Sequence, residues 1–89
     1  MHTKELDEIL SKEIKNENKN LILYNDDVNT FNHVIKCLEI YCSHNAMQAE
    51  QCAMIVHNKG KCSIKEGSIF NLIPIQTELL MNKLDVKIE

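Results

Sequence analysis

The chain has 89 residues, a formal net charge of −3 and 44% hydrophobic residues, which suits one small domain with a modest core. Acidic and basic residues are interspersed, and no basic patch of the kind that neutralises phosphates is present, so the sequence argues against a nucleic-acid partner. No apolar run is long enough to span a bilayer, and no signal-peptide pattern opens the chain. We therefore expect a cytoplasmic protein with reduced cysteines and no membrane partner.

Residues 1–19 are crowded with Lys, Glu and Asn, which predicts a flexible N-terminal extension ahead of a folded domain over residues 20–89. Four apolar residues of the extension have near-helical spacing: Leu6, Ile9, Leu10 and Ile14. The alternative is therefore a segment that becomes ordered on a partner.

The domain opens with the apolar run 21–24, followed by the polar triplet Asn-Asp-Asp at 25–27. A short apolar run that ends in turn-forming residues predicts a buried strand followed by a loop. Asn29 or Thr30 can cap the next element, an amphipathic helix that we predict to end near Ser43.

A second helix is predicted from Asn45 to Gly60. Asn45 and Gln48 resemble a capping box, and Gly60 suits the left-handed position that ends a helix. Residues 61–65 are predicted to form a strand, and residues 66–68 a turn.

Residues 69–83 are strongly apolar and predict a third helix. Pro74 removes a backbone donor and clashes with the preceding turn, so we predict that the regular helix begins near Asn71, with Pro74 in its first turn. Residues 84–88 alternate apolar and charged, which is typical of a half-buried strand. The order β-α-α-β-α-β predicts an α+β domain in which a three-stranded antiparallel sheet packs against three helices.

Cys42, His44, Cys52 and His57 are residue types that bind zinc, but their spacing does not repeat a C-x2-C or H-x3-H unit. Cys52 also falls on the apolar side of a predicted helix, where free cysteine behaves as a small hydrophobe. With two glycines in the whole chain, there is no glycine-rich oxyanion or phosphate loop. We therefore expect no metal, no cofactor and no enzyme activity, and a thiol enzyme or zinc domain is the least favoured hypothesis.

Taken singly, the triplet 25–27 and His57 have ordinary structural explanations. Asn and Asp after a strand often satisfy local backbone donors in a turn that caps a helix. A histidine near a helix C-terminus often interacts with the helix dipole.

In combination, these segments resemble the ClpS family, the adaptors that deliver N-degron substrates to the AAA+ Clp protease. The matching segments are 21–27 (LILYNDD), 34–35 and 38, 48–51 (QAEQ), and 57–61 (HNKGK), in the family's order and spacing. The resemblance covers roughly residues 20–89.

The resemblance implies that three side chains hold the α-amino group of a substrate: Asn25, Asp26 and His57. An ammonium group offers three donors and a positive charge, which Asp26 can meet with a charge-assisted hydrogen bond. Asn25 adds a neutral acceptor, and His57 can accept only in its neutral form. Asp27 is expected to be structural.

The resemblance also implies a hydrophobic pocket for the substrate's first side chain. The corresponding positions are Asn29, Phe31, Val34, Ala53, Val56 and Leu84. Most of them are apolar, which suits Leu, Phe, Tyr or Trp as the first residue. Plain core packing is the alternative for Val34 and Val56.

The implied partners are N-degron proteins and a Clp AAA+ unfoldase of the ClpA or ClpC type, and we expect the adaptor to be a monomer. In the family, the region after the second strand often carries acidic and lysine side chains that dock on the ATPase, whereas residues 69–75 here read IFNLIPI. ATPase-contact residues are therefore not assigned. The alternative function is an interaction scaffold of the same fold with a different ligand, for which residues 69–75 would be an exposed contact patch.

Overall fold

The computed structural model describes residues 4–6 and 18–89, so most of the predicted extension, residues 1–19, lies outside the described residues. Residues 18–89 contain six elements: β1 (Lys19–Tyr24), α1 (Phe31–Tyr41), α2 (Ala46–Lys59), β2 (Lys61–Gly67), α3 (Ile69–Met81) and β3 (Asp85–Ile88). The strands form a three-stranded antiparallel sheet in the order β2-β1-β3. The predicted α+β class and element order are therefore confirmed.

The central strand β1 sets the register of the sheet. Leu21 and Leu23 are buried and alternate with less buried neighbours, as the two-residue period of a strand requires. Leu23 lies opposite Cys62 of β2 and Val86 of β3, so these three side chains share one face of the sheet. Because β1 ends at Tyr24, the triplet 25–27 follows directly from the middle strand.

The core lies between this face of the sheet and the helices. Its most deeply buried large side chains are Leu21, Leu23, Leu38, Leu72, Leu79 and Cys42. Burial raises the pKa of the Cys42 thiol to about 11, so this cysteine packs as an uncharged, nearly apolar group. In the described part of the chain, no helix is long and apolar enough to cross a bilayer.

The helix ends follow the local sequence signals. Thr30 Oγ1 accepts a hydrogen bond from the His33 N–H at 3.1 Å, and Asn45 Oδ1 accepts one from the Gln48 N–H at 2.7 Å. Gly60 ends α2 with φ +94°, a conformation that costs a glycine little. Thr30 is therefore the cap of α1, and both predicted ends of α2 are confirmed.

The prediction that the third helix begins near Asn71 is wrong. The Ser68 hydroxyl accepts a hydrogen bond from the Asn71 N–H at 3.3 Å and caps a helix that begins at Ile69. Pro74 consequently lies inside α3 instead of in its first turn, where its ring removes the hydrogen bond that residue 74 would donate to the Phe70 carbonyl. The Ser68 cap fixes the start of the helix ahead of this lost bond.

Two further boundaries differ from prediction. Residues 66 and 67 belong to β2 instead of a turn, because β1 begins at Lys19 and pairs that residue with Gly67. Helix α1 ends at Tyr41, ahead of Ser43, which has φ 58° and cannot continue a right-handed helix.

Candidate ligand-binding cavity

A cavity of about 500 Å³ opens at the C-terminal end of β1, beside the loop that follows it, α1 and the last turns of α2. A volume of this size is typical of sites for small ligands. The lining residues are Leu23, Tyr24, Asn25, Asp26, Asp27, Asn29, Phe31, Val34, Ala53, Met54, Val56 and His57. The loop and His57 supply polar groups, and the helices supply apolar ones.

Asp26 organises the loop after β1. Its Oδ1 accepts hydrogen bonds from the backbone N–H groups of Val28 and Asn29, each at 2.8 Å, and its Oδ2 accepts one from the Asn29 side-chain amide at 2.8 Å. Burial by itself would raise the pKa of Asp26, but these hydrogen bonds outweigh it and hold the pKa below its usual range. Asp26 is therefore ionised at neutral pH, and three of its roughly four lone-pair sites are already occupied.

Asn29 connects the loop to the turn between α3 and β3. Its side-chain amide donates to Asp26 Oδ2 and to the Lys83 carbonyl, each at 2.8 Å. On the same turn, His33 Nε2 lies 3.0 Å from the Asn82 carbonyl oxygen. The loop is thus held by contacts to a segment far away in sequence.

Asn25 and His57 come together because the loop is also tied to the end of α2. The Asn25 N–H donates to the Gly60 carbonyl at 2.9 Å. His57 lies three residues before Gly60, is exposed and lines the same cavity. A backbone hydrogen bond therefore holds the start of the triplet near the histidine, although the two are distant in sequence.

Asp27 has different surroundings from Asp26. It is exposed at the cavity, and no hydrogen bond or ion pair joins its carboxylate to the described residues. All of its acceptor sites thus face solvent, whereas Asp26 uses most of its own to hold the loop. The assignment of the amine to Asp26 stays a prediction, and the geometry adds Asp27, which we expected to be structural, as a rival.

The apolar wall comes from α1 and α2. Ala53 and Val56 are 3% and 5% exposed, and Val34 is partly buried and packs against the core. Phe31, at the start of α1, is 40% exposed. Because Ala53 ends at its β-carbon, it leaves space that a longer side chain would occupy.

All but one of the predicted site residues line this cavity; the exception is Leu84. Leu84 is 2% exposed and belongs to the buried core, because the alternation that buries Val86 also directs Leu84 inward. The place of Leu84 in the pocket therefore stays a prediction, with core packing as the alternative. Sequence reasoning missed Met54, although its spacing of three residues from His57 puts both on one side of α2.

The four cysteines do not line the cavity. Burial, aided by the neighbouring Cys62 thiol, raises the pKa of Cys52 to about 12, so Cys52 is a protonated thiol at neutral pH. Among residues 4–6 and 18–89, no three His, Cys, Asp or Glu side chains are grouped so that they could hold a metal ion. These observations give no support to the thiol-enzyme or zinc hypothesis.

Comparison with protein families gives a match over residues 15–79 to the model described as ATP-dependent Clp protease adaptor protein ClpS. The chain belongs to the ClpS family. The resemblance carried by the triplet 25–27 and the HNKGK segment at 57–61 is therefore confirmed. The family's description as an adaptor agrees with the expectation that this chain is not an enzyme.

One solved structure and one curated protein are similar to this ClpS chain. Its fold is similar to that of Agrobacterium tumefaciens ClpS2 bound to L-phenylalaninamide, with a TM-score of 0.76 and 16% identity, covering 82% of this chain and 95% of that chain. The E3 ubiquitin-protein ligase ubr-1 of Caenorhabditis elegans is 38% identical over 66 residues, which are 72% of this chain and 3% of the ligase. The chain thus spans only a small fraction of the length of this curated relative.

Proposed function

We propose that this ClpS chain is a monomeric, cytoplasmic N-degron adaptor. It binds the free α-amino group and the bulky hydrophobic first side chain of a substrate protein, and delivers that protein to a Clp AAA+ unfoldase for degradation. One observation carries the proposal: a single cavity combines the polar groups of residues 25–27 and His57 with an apolar wall from α1 and α2.

The polar side of the cavity suits an N-terminal ammonium group. Such a group is a cation with three donors, and it requires acceptors of negative or neutral charge. A carboxylate at 26 or 27 supplies the charge, and Asn25 and neutral His57 supply further acceptors. A backbone amide or an acetylated N-terminus lacks the charge and would leave these acceptors unsatisfied.

The apolar side of the cavity suits Leu, Phe, Tyr or Trp as the first residue. Burying such a side chain is worth about 1.5–3 kcal/mol, so neither the wall nor the amine contacts alone would give tight binding. The structurally similar ClpS2 is bound to L-phenylalaninamide, a ligand that carries both a free amine and an aromatic side chain. This ligand supports the same combination for the present chain.

The identity to ubr-1 favours a second destination for the bound substrate, namely ubiquitin ligation in place of a Clp unfoldase. Recognition of the N-terminus would be the same in both cases. The scaffold alternative differs, because it requires no preference for a free amine.

The deciding experiment is a binding titration with peptides that differ only at their N-terminus. Peptides beginning with Leu, Phe, Tyr or Trp should bind at micromolar or tighter affinity, and acetylating the same peptides should abolish binding. A peptide beginning with Ser is the control for the side-chain pocket. Equal binding of free and acetylated peptides would refute recognition of the N-terminus and favour the scaffold.

Delivery needs a separate measurement. A purified ClpA- or ClpC-type unfoldase with its protease should degrade a reporter beginning with Phe faster when this chain is present. An unchanged rate, despite tight binding of the reporter, would leave recognition intact and redirect delivery to the ubiquitin-ligation alternative.

A further inference from the structure

Met54 borders two concave surfaces. It lines the cavity described above, and it also lines a shallow groove of about 530 Å³ on the outer side of α2. The other residues of this groove are Met47, Glu50, Gln51 and Ile55. The groove therefore begins at the edge of the cavity and continues along α2 toward its N-terminus.

The groove is apolar for an exposed surface. Met47, Met54 and Ile55 are 71%, 48% and 43% exposed, respectively. Exposed apolar side chains that cluster in a concave surface are typical of a site that is covered by a partner. Methionine suits a partner of variable sequence, because its flexible and polarizable side chain adapts to different shapes. The acidic group in the groove is Glu50, and the groove contains no basic side chain.

The length of the groove matches a short stretch of extended peptide. Met47 and Met54 are one heptad apart on α2, which corresponds to about 10 Å along the helix axis at a rise of about 1.5 Å per residue. An extended peptide advances about 3.3–3.6 Å per residue. About three residues would therefore cover the distance from Met54 to Met47.

We propose that this groove is a subsite for the residues that follow the first residue of a bound peptide. A peptide with its first side chain against Ala53 and its amine near His57 leaves the cavity past Met54, and its next side chains lie against Met47 and Ile55. The groove favours apolar side chains in these positions, and Glu50 disfavours acidic ones. This inference rests on the proposed function, because it requires the N-terminus to occupy the cavity.

The test combines three peptides with substitutions at two residues of the groove. The peptides begin Phe-Leu-Leu, Phe-Ser-Ser and Phe-Asp-Asp and are otherwise identical, and phenylalaninamide serves as a ligand without a second residue. Met47→Gln and Ile55→Gln, singly and together, make the groove polar at exposed helical positions. Met81→Gln is the matched control, because Met81 is 72% exposed but lies on α3. Met54 is left unchanged because it also lines the cavity.

The wild type should bind the Leu peptide at least about fivefold more tightly than the Ser peptide, since burying one apolar side chain is worth this much or more. The Asp peptide should bind most weakly. The double variant should reduce the Leu-to-Ser preference to about one, whereas Met81→Gln should preserve it. The affinity for phenylalaninamide should be the same in all variants.

The two proposals fail in different ways. If phenylalaninamide binds but the wild type shows no preference for Leu over Ser, or if Met81→Gln removes the preference as strongly as Met47→Gln, the groove is not the subsite and only this inference is overturned. If wild-type protein binds neither phenylalaninamide nor any free peptide, the proposed function is overturned, and this inference with it.

Discussion

The loop after β1 and the outer face of α3 are built in opposite ways. The loop is polar, and its side chains hold one another: Asp26 accepts three hydrogen bonds, and Asn29 bridges from Asp26 to the Lys83 carbonyl. The outer face of α3 is apolar and exposed. Its side chains include Phe70, Ile73, Leu80 and Met81, which are 49%, 45%, 50% and 72% exposed.

The difference separates two kinds of function. In the loop, hydrogen bonds fix the positions of the Asp26 and Asn29 side chains, as a site for a charged ligand requires. On α3 only the helix itself positions the side chains, which is sufficient for apolar contact but not for selecting a charge. The α3 face also includes residues 69–75, which carry no charged side chain. Apart from the buried Leu72, this segment is half-buried or exposed, so the contact patch of the scaffold alternative keeps its structural basis.

The largest expected effect is on peptide affinity, and it distinguishes the two aspartates of the loop. Asp27→Asn removes an unpartnered carboxylate at the cavity. If Asp27 meets the amine, peptides with a free N-terminal Phe will bind about 10- to 100-fold more weakly, the effect of losing a charge-assisted hydrogen bond. We expect the unfolding temperature to stay the same, since Asp27 makes no hydrogen bond to the described residues. Peptide titration and thermal unfolding measure the two quantities.

Asp26→Asn is the companion variant. An amide nitrogen at this position would face the Asn29 amide donor, so at least one of the three loop hydrogen bonds is lost. We expect a loss of about 0.5–1.5 kcal/mol in the free energy of unfolding. If Asp26 meets the amine, as the family resemblance implies, this variant also loses more affinity than Asp27→Asn. A larger loss of affinity for Asp27→Asn, with the stability of that variant unchanged, would assign the amine to Asp27 instead.

The second prediction concerns the depth of the cavity. Ala53→Met places a longer side chain in the space that the first side chain of the peptide would use. We expect peptides beginning with Trp or Phe to bind about tenfold more weakly, a size of effect that fits the loss of part of one buried apolar side chain. Ala46→Met is the control, because Ala46 is exposed at the other end of α2. Unchanged affinity for Trp peptides in a folded Ala53→Met protein would place the first side chain elsewhere.

The third prediction concerns stability on the α3 side. Pro74→Ala restores a backbone donor for the Phe70 carbonyl and should raise the free energy of unfolding by about 1 kcal/mol, less than the usual cost of an interior proline because the unfolded chain also gains freedom. Ile73→Ala, at a half-exposed neighbour, controls for helix propensity. Denaturant titration measures the free energy of unfolding of both variants. Their peptide affinity should equal that of the wild type. A loss of stability would show that the helix is adapted to the proline ring.

The fourth prediction concerns acid stability. Hydrogen bonds hold the pKa of Asp26 below its usual range, so its contribution to stability is complete above the unfolded-state pKa and is lost as the pH falls through the folded-state pKa. The wild type should therefore lose stability in acid more steeply than Asp26→Asn. If the stability of the two proteins falls equally steeply with decreasing pH, Asp26 does not make this contribution.

Local signals were sufficient for most elements of the fold. The run 21–24, the cap at Thr30 and the left-handed Gly60 each act within a few residues, so they can be interpreted without knowing the tertiary structure. Pro74 shows where local signals conflict. The cap at Ser68 and the proline predict different helix starts, and the cap determines the observed one.

The residues of the candidate site were predictable from the sequence, but the hydrogen-bond network that joins them was not. The family pattern indicated where the polar and apolar groups stand in the chain. It did not indicate that Asn29 would join Asp26 to the Lys83 carbonyl, because that bond depends on how α3 and β3 pack against the loop. The hydrogen bonds that distinguish Asp26 from Asp27 are themselves local, from Val28 and Asn29.

The smallest expected effect on peptide affinity comes from variants of the α3 face. These variants test most directly whether the loop after β1 and the α3 face act independently. Phe70→Gln and Leu80→Gln keep the helix and remove exposed apolar surface, so affinity for free peptides should stay within about twofold of the wild type. The same variants should weaken any partner that docks on α3, measured as slower degradation of a Phe reporter at saturating adaptor. If peptide affinity falls instead, the two regions are coupled through the α3–β3 turn that Asn29 and His33 contact. If neither quantity changes, the α3 face takes no part in delivery.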